Sequence, residues 1–131
     1  MNARRALAAA LAASAVASLL VGAAREAGAQ HSGHATASRE VYQGWKWFHV
    51  YCYRCHGTDA VSNTSLPGPD LRTSIKNLPR EEFFKAVHEG RLPKGMPAWG
   101  QLLTEQQIHA VYAYVDARAQ ERLKAGRPDE Q

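Results

Sequence analysis

The sequence predicts an all-α domain of three to four helices. Apolar residues recur at intervals of three and four in long segments, and we find no strand-helix-strand pattern. Between the periodic segments, prolines and glycines interrupt regular structure. With 131 residues, 45% of them hydrophobic, the chain forms one small domain. Such a domain is close to the size at which a core of side chains alone becomes marginal.

The first 29 residues have the three parts of a secretory signal peptide. Two arginines precede an apolar run over about residues 6–24, and Ala27-Gly28-Ala29 provides a small-residue cleavage site. We therefore expect residues 1–29 to be removed on export. Residues 30–38 are small and polar, which predicts a flexible leader ahead of a folded domain of residues 39–131.

A first helix is expected to begin after Ser38, which can serve as its N-cap. One face of this helix carries Val41, Trp45, Phe48 and Cys52. Gly44 lies inside the same helix at a cost of about 1 kcal/mol relative to alanine. A second helix that crosses at this point would account for the glycine.

A middle helix is expected to start near Pro79, which suits a first helical turn, and to end at Gly90. Its candidates for burial are Phe83, Phe84 and Val87.

A capping box of Thr104 and Gln107 opens the final helix, which we expect to continue to Gly126 and Pro128. Ala113 and Tyr114 are candidates for packing on Gly44. The shared apolar face holds Ile108, Val111, Tyr112, Val115 and Leu123. Near the C-terminal end lies a basic cluster, which we expect to be a solvated face favoured by the helix dipole: Arg118, Arg122 and Lys124.

The five residues Cys52-Tyr53-Arg54-Cys55-His56 are typical of covalent attachment of a c-type haem. Two thiols three positions apart can add to the two vinyl groups of one porphyrin, and the following imidazole then lies under the iron. A redox disulfide or a zinc site also uses a CxxC pair, but a zinc site needs two more soft ligands. Since these are the chain's only cysteines, we predict one covalent haem c.

Two loops can complete such a site. Gly68-Pro69 lies about a dozen residues after His56 and can present a carbonyl to the histidine nitrogen that does not bind the metal. Met96 lies in a loop stiffened by prolines and glycines, and we predict that it is the sixth iron ligand rather than a gap-filling side chain. His88 is the rival for that position, but its charged neighbours favour the surface.

These segments together resemble a class I mono-haem cytochrome c of the bacterial, periplasmic type over nearly all of the mature sequence. Gly44 and Phe48 stand eight and four residues before Cys52, as in that family's first helix. The other matching segments are Gly68-Pro69-Asp70-Leu71, Gly95-Met96-Pro97-Ala98-Trp99 and Val111-Tyr112-Ala113-Tyr114-Val115. The resemblance implies the class I fold with crossing N- and C-terminal helices, a Pro69 carbonyl that accepts from His56, and Met96 as axial ligand.

The tail of the chain is similar to the tails of periplasmic cytochromes linked to quinoprotein alcohol dehydrogenases, including those of methanol metabolism. The similar residues are Ala117-Arg118-Ala119, Leu123 and Ala125-Gly126-Arg127-Pro128. That family often has Arg-Ala-Asp-Gly where this chain has Arg118-Ala119-Gln120-Glu121. The resemblance implies a monomeric carrier that takes electrons from a dehydrogenase using pyrroloquinoline quinone (PQQ) and passes them towards a terminal oxidase.

Histidine and methionine ligation would leave no open iron position for a substrate, so we expect a one-electron carrier and not an enzyme. One alternative is a haem enzyme or gas sensor in which Met96 is labile. Another is a membrane-tethered subunit whose apolar N-terminal run, which approaches spanning length, is not cleaved.

The net charge gives no support for nucleic-acid binding. The formal charge of +4 falls to about +2 once the predicted signal peptide is removed, and two haem propionates would offset that. Arg54, Arg91 and Lys94 lie near the haem motif and the Met96 loop, where they can steer an acidic redox partner.

Overall fold

The computed structural model describes residues 36–130, and the prediction of an all-α domain is confirmed. In this part of the chain the helices are α1 (Arg39–Tyr51), α2 (Tyr53–His56), α3 (Leu71–Ser74), α4 (Arg80–Glu89) and α5 (Glu105–Ala119). Short 3₁₀ turns occupy Thr58–Ala60, Ile75–Asn77 and Leu92–Lys94. The strands of the described part are β1 (Thr36–Ala37) and β2 (Asp129–Glu130), which pair in parallel.

Helix α1 begins where the sequence predicts. The Ser38 side chain accepts a hydrogen bond from the Val41 N–H, as expected for an N-cap. The helix buries Tyr42, Gly44 and Phe48, and Phe48 is completely enclosed.

Helices α1 and α5 cross at Gly44, as predicted. A Cβ added to Gly44 would overlap the carbonyl oxygen of Ala110 and lie 2.9 Å from the Cβ of Tyr114. The nearest partners of Gly44 are therefore Ala110 and Tyr114. Beside the crossing, the rings of Phe48 and Tyr114 lie 5.3 Å apart in the centre of the core.

Helix α4 follows Pro79 and ends at Gly90, as expected. Phe83 and Val87 are buried, whereas Phe84 is only partly buried. The Phe84 ring instead covers the side of α5, where it lies 4.4 Å from the ring of His109.

Helix α5 opens with the predicted capping box but ends earlier than predicted. Thr104 and Gln107 make both reciprocal hydrogen bonds. The helix stops at Ala119, because Glu121 takes a positive φ of 58° and reverses the chain. Leu123 is still buried, but it reaches the core from this reversed tail, where its N–H bonds to the carbonyl of Ala117.

Arg118 is not part of a solvated face, which corrects the prediction for the basic cluster. Only 8% of its surface is exposed. Its guanidinium donates to the carbonyl of Asp59 at 3.1 Å and to the carbonyl of Leu123. The reversal of the chain after Ala119 brings the second carbonyl within reach. Arg118 therefore ties the segment after the haem motif to the C-terminal tail.

Asp59 also contacts the C-terminal tail and helix α5 through its side chain. Its carboxylate accepts from the N–H of Gly126 at 3.0 Å and lies 3.4 Å from the Tyr114 hydroxyl. Burial, and then the nearby negative charge of Asp59, raise the pKa of Tyr114.

The start of the described chain is held against its end. Thr36 and Ala37 pair with Asp129 and Glu130, and Ala37 is 5% exposed. The predicted leader therefore ends in an ordered strand. The predictions for residues 1–29 and for the rest of the leader lie outside the described residues. None of the helices in residues 36–130 has the length and hydrophobicity needed to cross a membrane.

Candidate functional site

The residues that the sequence singles out meet at one cavity of about 260 Å³. Its lining includes Cys52, Cys55, His56, Pro69 and Met96. The remaining lining is largely apolar and includes Leu71, Leu78, Phe83, Val87, Trp99 and Val111. Because α1, α4, α5 and the loops between them all contribute, the cavity is a product of the whole fold.

The cysteines and the histidine are brought to the same side of the chain by a single helical turn. The N–H groups of Cys55 and His56 donate to the carbonyl of Cys52 at 3.1 and 3.0 Å. Residues three and four positions apart on a helix are neighbours. The motif therefore directs its three reactive side chains into one cavity.

The surroundings of the two thiols in residues 36–130 disagree with a zinc site. Burial, together with the neighbouring Cys55, raises the pKa of the Cys52 thiol to about 12. In residues 36–130 no three His, Cys, Asp or Glu side chains come together as a metal would require.

The His56 ring is held in one orientation by a backbone carbonyl. The residue is only 9% exposed, and its Nδ1 lies 3.0 Å from the carbonyl oxygen of Pro69. A carbonyl only accepts hydrogen bonds, so Nδ1 carries the proton and donates. The Nε2 lone pair of the neutral ring is then free to bind a metal.

Gly68 allows the loop to approach this ring. A Cβ at Gly68 would lie 2.8 Å from Nδ1 of His56 and 2.8 Å from the carbonyl oxygen of Cys55. No other residue leaves space for the Pro69 carbonyl to reach the histidine, since only glycine lacks this atom.

Met96 stands at the end of a closed loop. The N–H of Arg91 donates to the carbonyl of Met96 at 2.7 Å, and the N–H of Met96 returns a bond to Arg91 at 3.3 Å. Between them the chain makes a 3₁₀ turn containing Pro93, followed by Gly95 at a left-handed φ of 78°.

The segment after Met96 is fixed to the end of α4. The N–H groups of Trp99 and Gly100 donate to the carbonyls of Val87 and His88 at 2.9 and 3.1 Å. The last carbonyls of a helix have no partners inside it, so these bonds both cap α4 and hold the loop. Met96 thus has a rigid backbone on both sides.

His88 does not line the cavity, in agreement with the expected surface position. About half of its side chain is exposed, and its Nε2 lies 3.7 Å from a carboxylate oxygen of Glu105. Its ring packs against Gly100.

Tyr51 was not predicted as a cavity residue from the sequence, and Trp99 was predicted only as part of the Met96 loop. Tyr51 and Trp99 both line the cavity, and their rings lie 5.5 Å apart. Tyr51 lies four positions before Cys55, so its place on the helix face was a signal that could have identified it. Of the candidate steering cations, Arg91 and Lys94 line the cavity, whereas Arg54 is exposed outside it.

Helices that cross at a glycine, with a CxxCH turn and a methionine loop facing one apolar cavity, form the architecture of a c-type cytochrome. The chain belongs to the cytochrome c family: the family model described as cytochrome c oxidase, cbb3-type, subunit III matches residues 39–115.

Similar proteins include dehydrogenases that are much longer than this chain. A quinohemoprotein alcohol dehydrogenase, ADH-IIG of Pseudomonas putida, is 35% identical over 91 residues, which are 70% of this chain but 12% of that protein. The chain therefore spans about an eighth of that relative. Cytochrome c-555 of Methylococcus capsulatus is 30% identical over 94 residues, covering 70% of this chain and 73% of that protein.

A solved structure has the same fold. The c-type cytochrome XoxG from Methylobacterium extorquens AM1 superposes with a TM-score of 0.62 at 28% identity, covering 71% of this chain and 59% of that chain. These likenesses support an electron-carrier role.

Membership of the family implies one covalently bound haem c, and the residues of the cavity fit it. The chain's only two cysteines permit a single CxxCH attachment. The walls are apolar, the imidazole has its Nε2 free, and a thioether lies on the same cavity. These groups are of the kinds that attach and ligate a haem.

Proposed function

We propose that this chain is a periplasmic one-electron carrier. Cys52 and Cys55 would hold the haem by thioether bonds, and His56 and Met96 would bind its iron. The observation that carries this proposal is the convergence of these four side chains on one apolar cavity.

When bound, the haem supplies an iron that gains or loses one electron. The protein's part is to keep the ligands in place in both oxidation states. His56 is held by its bond to Pro69, and Met96 by the closed loop that begins at Arg91. A methionine ligand raises the reduction potential relative to two nitrogen ligands. A fixed sixth ligand also leaves no site for a substrate, which favours a carrier over an enzyme.

We propose that the electron donor is a quinoprotein alcohol dehydrogenase and that the electrons pass towards a terminal oxidase. Support comes from the relatives, among which are the quinohemoprotein dehydrogenase of Pseudomonas putida and the quinone-dependent alcohol dehydrogenase of Gluconobacter oxydans. Redox partners of this kind meet briefly over small interfaces. Arg91 and Lys94, both exposed at the cavity, can steer an acidic partner.

The test is an optical spectrum of the purified, exported protein in the ferric and ferrous states, repeated under carbon monoxide. A ferric iron-to-methionine charge-transfer band, sharp c-type ferrous bands and no response to carbon monoxide would support the His56/Met96 carrier. Absence of the methionine band with ready binding of carbon monoxide would overturn it in favour of a haem enzyme or gas sensor.

A second candidate is a cytochrome subunit fixed to a membrane complex. It is favoured by the description of the matching family, which names an oxidase subunit. N-terminal sequencing of the exported protein decides between the two. A chain that starts at Gln30 in the soluble periplasmic fraction supports the carrier, and a chain that keeps the apolar run and fractionates with membranes supports the subunit.

A further inference from the structure

We infer that Ser62 is a positioning residue, which fixes the Pro69 carbonyl and through it the ring of His56. This inference rests on the proposed role of His56 as an iron ligand. Ser62 lies in the irregular loop between the haem motif and α3, and no sequence motif assigns it a role.

The Ser62 hydroxyl connects the two limbs of this loop. Its Oγ donates to the carbonyl oxygen of Gly68 at 2.6 Å. The N–H of the same glycine donates to the carbonyl of Cys55 at 3.0 Å. Both polar groups of Gly68 are thus engaged, one by the haem motif itself and the other by Ser62.

These contacts restrict the peptide that precedes the Pro69 carbonyl. The Gly68 carbonyl lies in the planar peptide unit that joins Gly68 to Pro69, so the bond from Ser62 sets the orientation of that plane. The proline ring then fixes φ of Pro69 near its usual value. Only ψ of Pro69 remains free to turn its carbonyl.

The next residue fixes that last angle. The Asp70 side chain accepts from the N–H of Arg72 at 3.0 Å, and its carbonyl accepts from the N–H of Ser74 at 3.1 Å, so Asp70 is anchored as the N-cap of α3. With Ser62 on one side and the α3 cap on the other, the Pro69 carbonyl has one direction, towards Nδ1 of His56.

Loss of the Ser62 hydroxyl would remove one of these two anchors. The bond that a ligating histidine donates through its second nitrogen fixes the ring orientation and raises its basicity. A more basic imidazole favours ferric iron. A looser Pro69 carbonyl would therefore raise the reduction potential and allow the Nδ1 proton to exchange faster with solvent.

The experiment uses the haem-loaded protein and the variants Ser62→Ala, Ser62→Thr and Ser65→Ala. Ser65 is a matched control, since it lies in the same loop, is exposed, and its hydroxyl makes no hydrogen bond within residues 36–130. The exchange rate of the His56 Nδ1 proton is measured by NMR, and the potential by redox titration. We expect Ser62→Ala to exchange about five- to tenfold faster, as the loss of one hydrogen bond implies, with a more positive potential. Ser62→Thr and Ser65→Ala should match the wild type.

Wild-type exchange or a wild-type potential in Ser62→Ala would overturn the inference, and so would an equal change in Ser65→Ala. Failure of the proposed function has a different signature. The ring protons of an axial histidine are strongly shifted by the porphyrin ring current, so unshifted His56 protons in the wild-type protein would remove the ligand assignment itself.

Discussion

Gly44 of α1 packs directly against the backbone carbonyl of Ala110 in α5, with no room for a Cβ between them. The obstacle is main chain, so no side-chain rotation can relieve it. Helix α1 leads into the CxxCH turn and α5 supplies Val111 to the cavity wall. The closeness of this crossing therefore sets the dimensions of the site.

Replacing Gly44 with alanine should destabilise the haem-loaded protein by about 3 kcal/mol, the upper part of the range for overpacking a core. The gain of about 1 kcal/mol from better helix propensity would offset only part of this. Urea unfolding measures the change. Val50→Ala, at a 57% exposed position of the same helix, is the control and should change stability little. Equal stability of Gly44→Ala and wild type would contradict the close crossing.

Arg118→Ala should cost about 2–3 kcal/mol of unfolding free energy. The change leaves the carbonyls of Asp59 and Leu123 without their donor in a buried place. Arg122→Ala is the matched control, because Arg122 is exposed and pairs with Asp116 at the surface; its cost should be below about 1 kcal/mol. Thermal or urea unfolding compares the two, and similar losses would show that the tail is not held by Arg118.

Arg118 is buried and Arg122 is exposed, although the sequence predicted a solvated position for both. The starts of α1 and α5 were predictable because Ser38 and Thr104 act on residues three positions away. The burial of Arg118 depends on a carbonyl 59 residues distant and on a chain reversal at Glu121. Neither leaves a periodic pattern in the sequence.

In the site, too, local motifs were predictable and contacts between distant segments were not. The CxxCH turn, the Gly68-Pro69 corner and the Met96 loop are short motifs, each of which contains its own geometry. Ser62 and Tyr51 were missed because their roles depend on partners in other segments, Gly68 across the loop and Trp99 after the Met96 loop.

Asp70 should make stability depend on pH in the acid range. Hydrogen bonding from Arg72 lowers the pKa of the Asp70 carboxyl, so the fold favours its charged form. This contribution is fully present above the unfolded value of about 3.9 and is lost as the pH falls through the lowered folded value. The pair is partly exposed, so the effect should be below about 1 kcal/mol.

The comparison that isolates this effect is wild type against Asp70→Asn. Asparagine still caps α3, and every other carboxylate titrates in both proteins. Their free energies of unfolding should therefore differ at pH 6 and converge as the pH falls below about 4. Asp70→Ala should lose about 1 kcal/mol at all pH values by losing the cap. Thermal unfolding at pH 6, 4 and 2.5 follows the series, and a constant gap between wild type and Asp70→Asn would refute it.

Met96→Ala should open the sixth iron position. The ferrous variant is expected to bind carbon monoxide, to lose the ferric methionine band and to have a lower reduction potential, since methionine ligation raises it. Leu92→Ala is the control, since Leu92 lies in the same loop and is 75% exposed. It tests whether any truncation in this loop allows carbon monoxide to bind. Carbon monoxide binding by Leu92→Ala alone, or by neither variant, would argue against Met96 as the ligand.

Arg91 and Lys94 should control access of charged reactants to the cavity. Both are exposed and line it, so reversing them in Arg91→Glu/Lys94→Glu should slow oxidation by ferricyanide about tenfold at low salt and speed reaction with a cationic cobalt complex. The difference should shrink above about 0.5 M salt, where screening acts within a few ångströms. Lys85→Glu/Lys124→Glu makes the same change in net charge at exposed positions away from the cavity. If both pairs slow ferricyanide equally, the net charge and not its placement governs the rate. A clear effect of the first pair alone locates electron exchange at the Met96 loop.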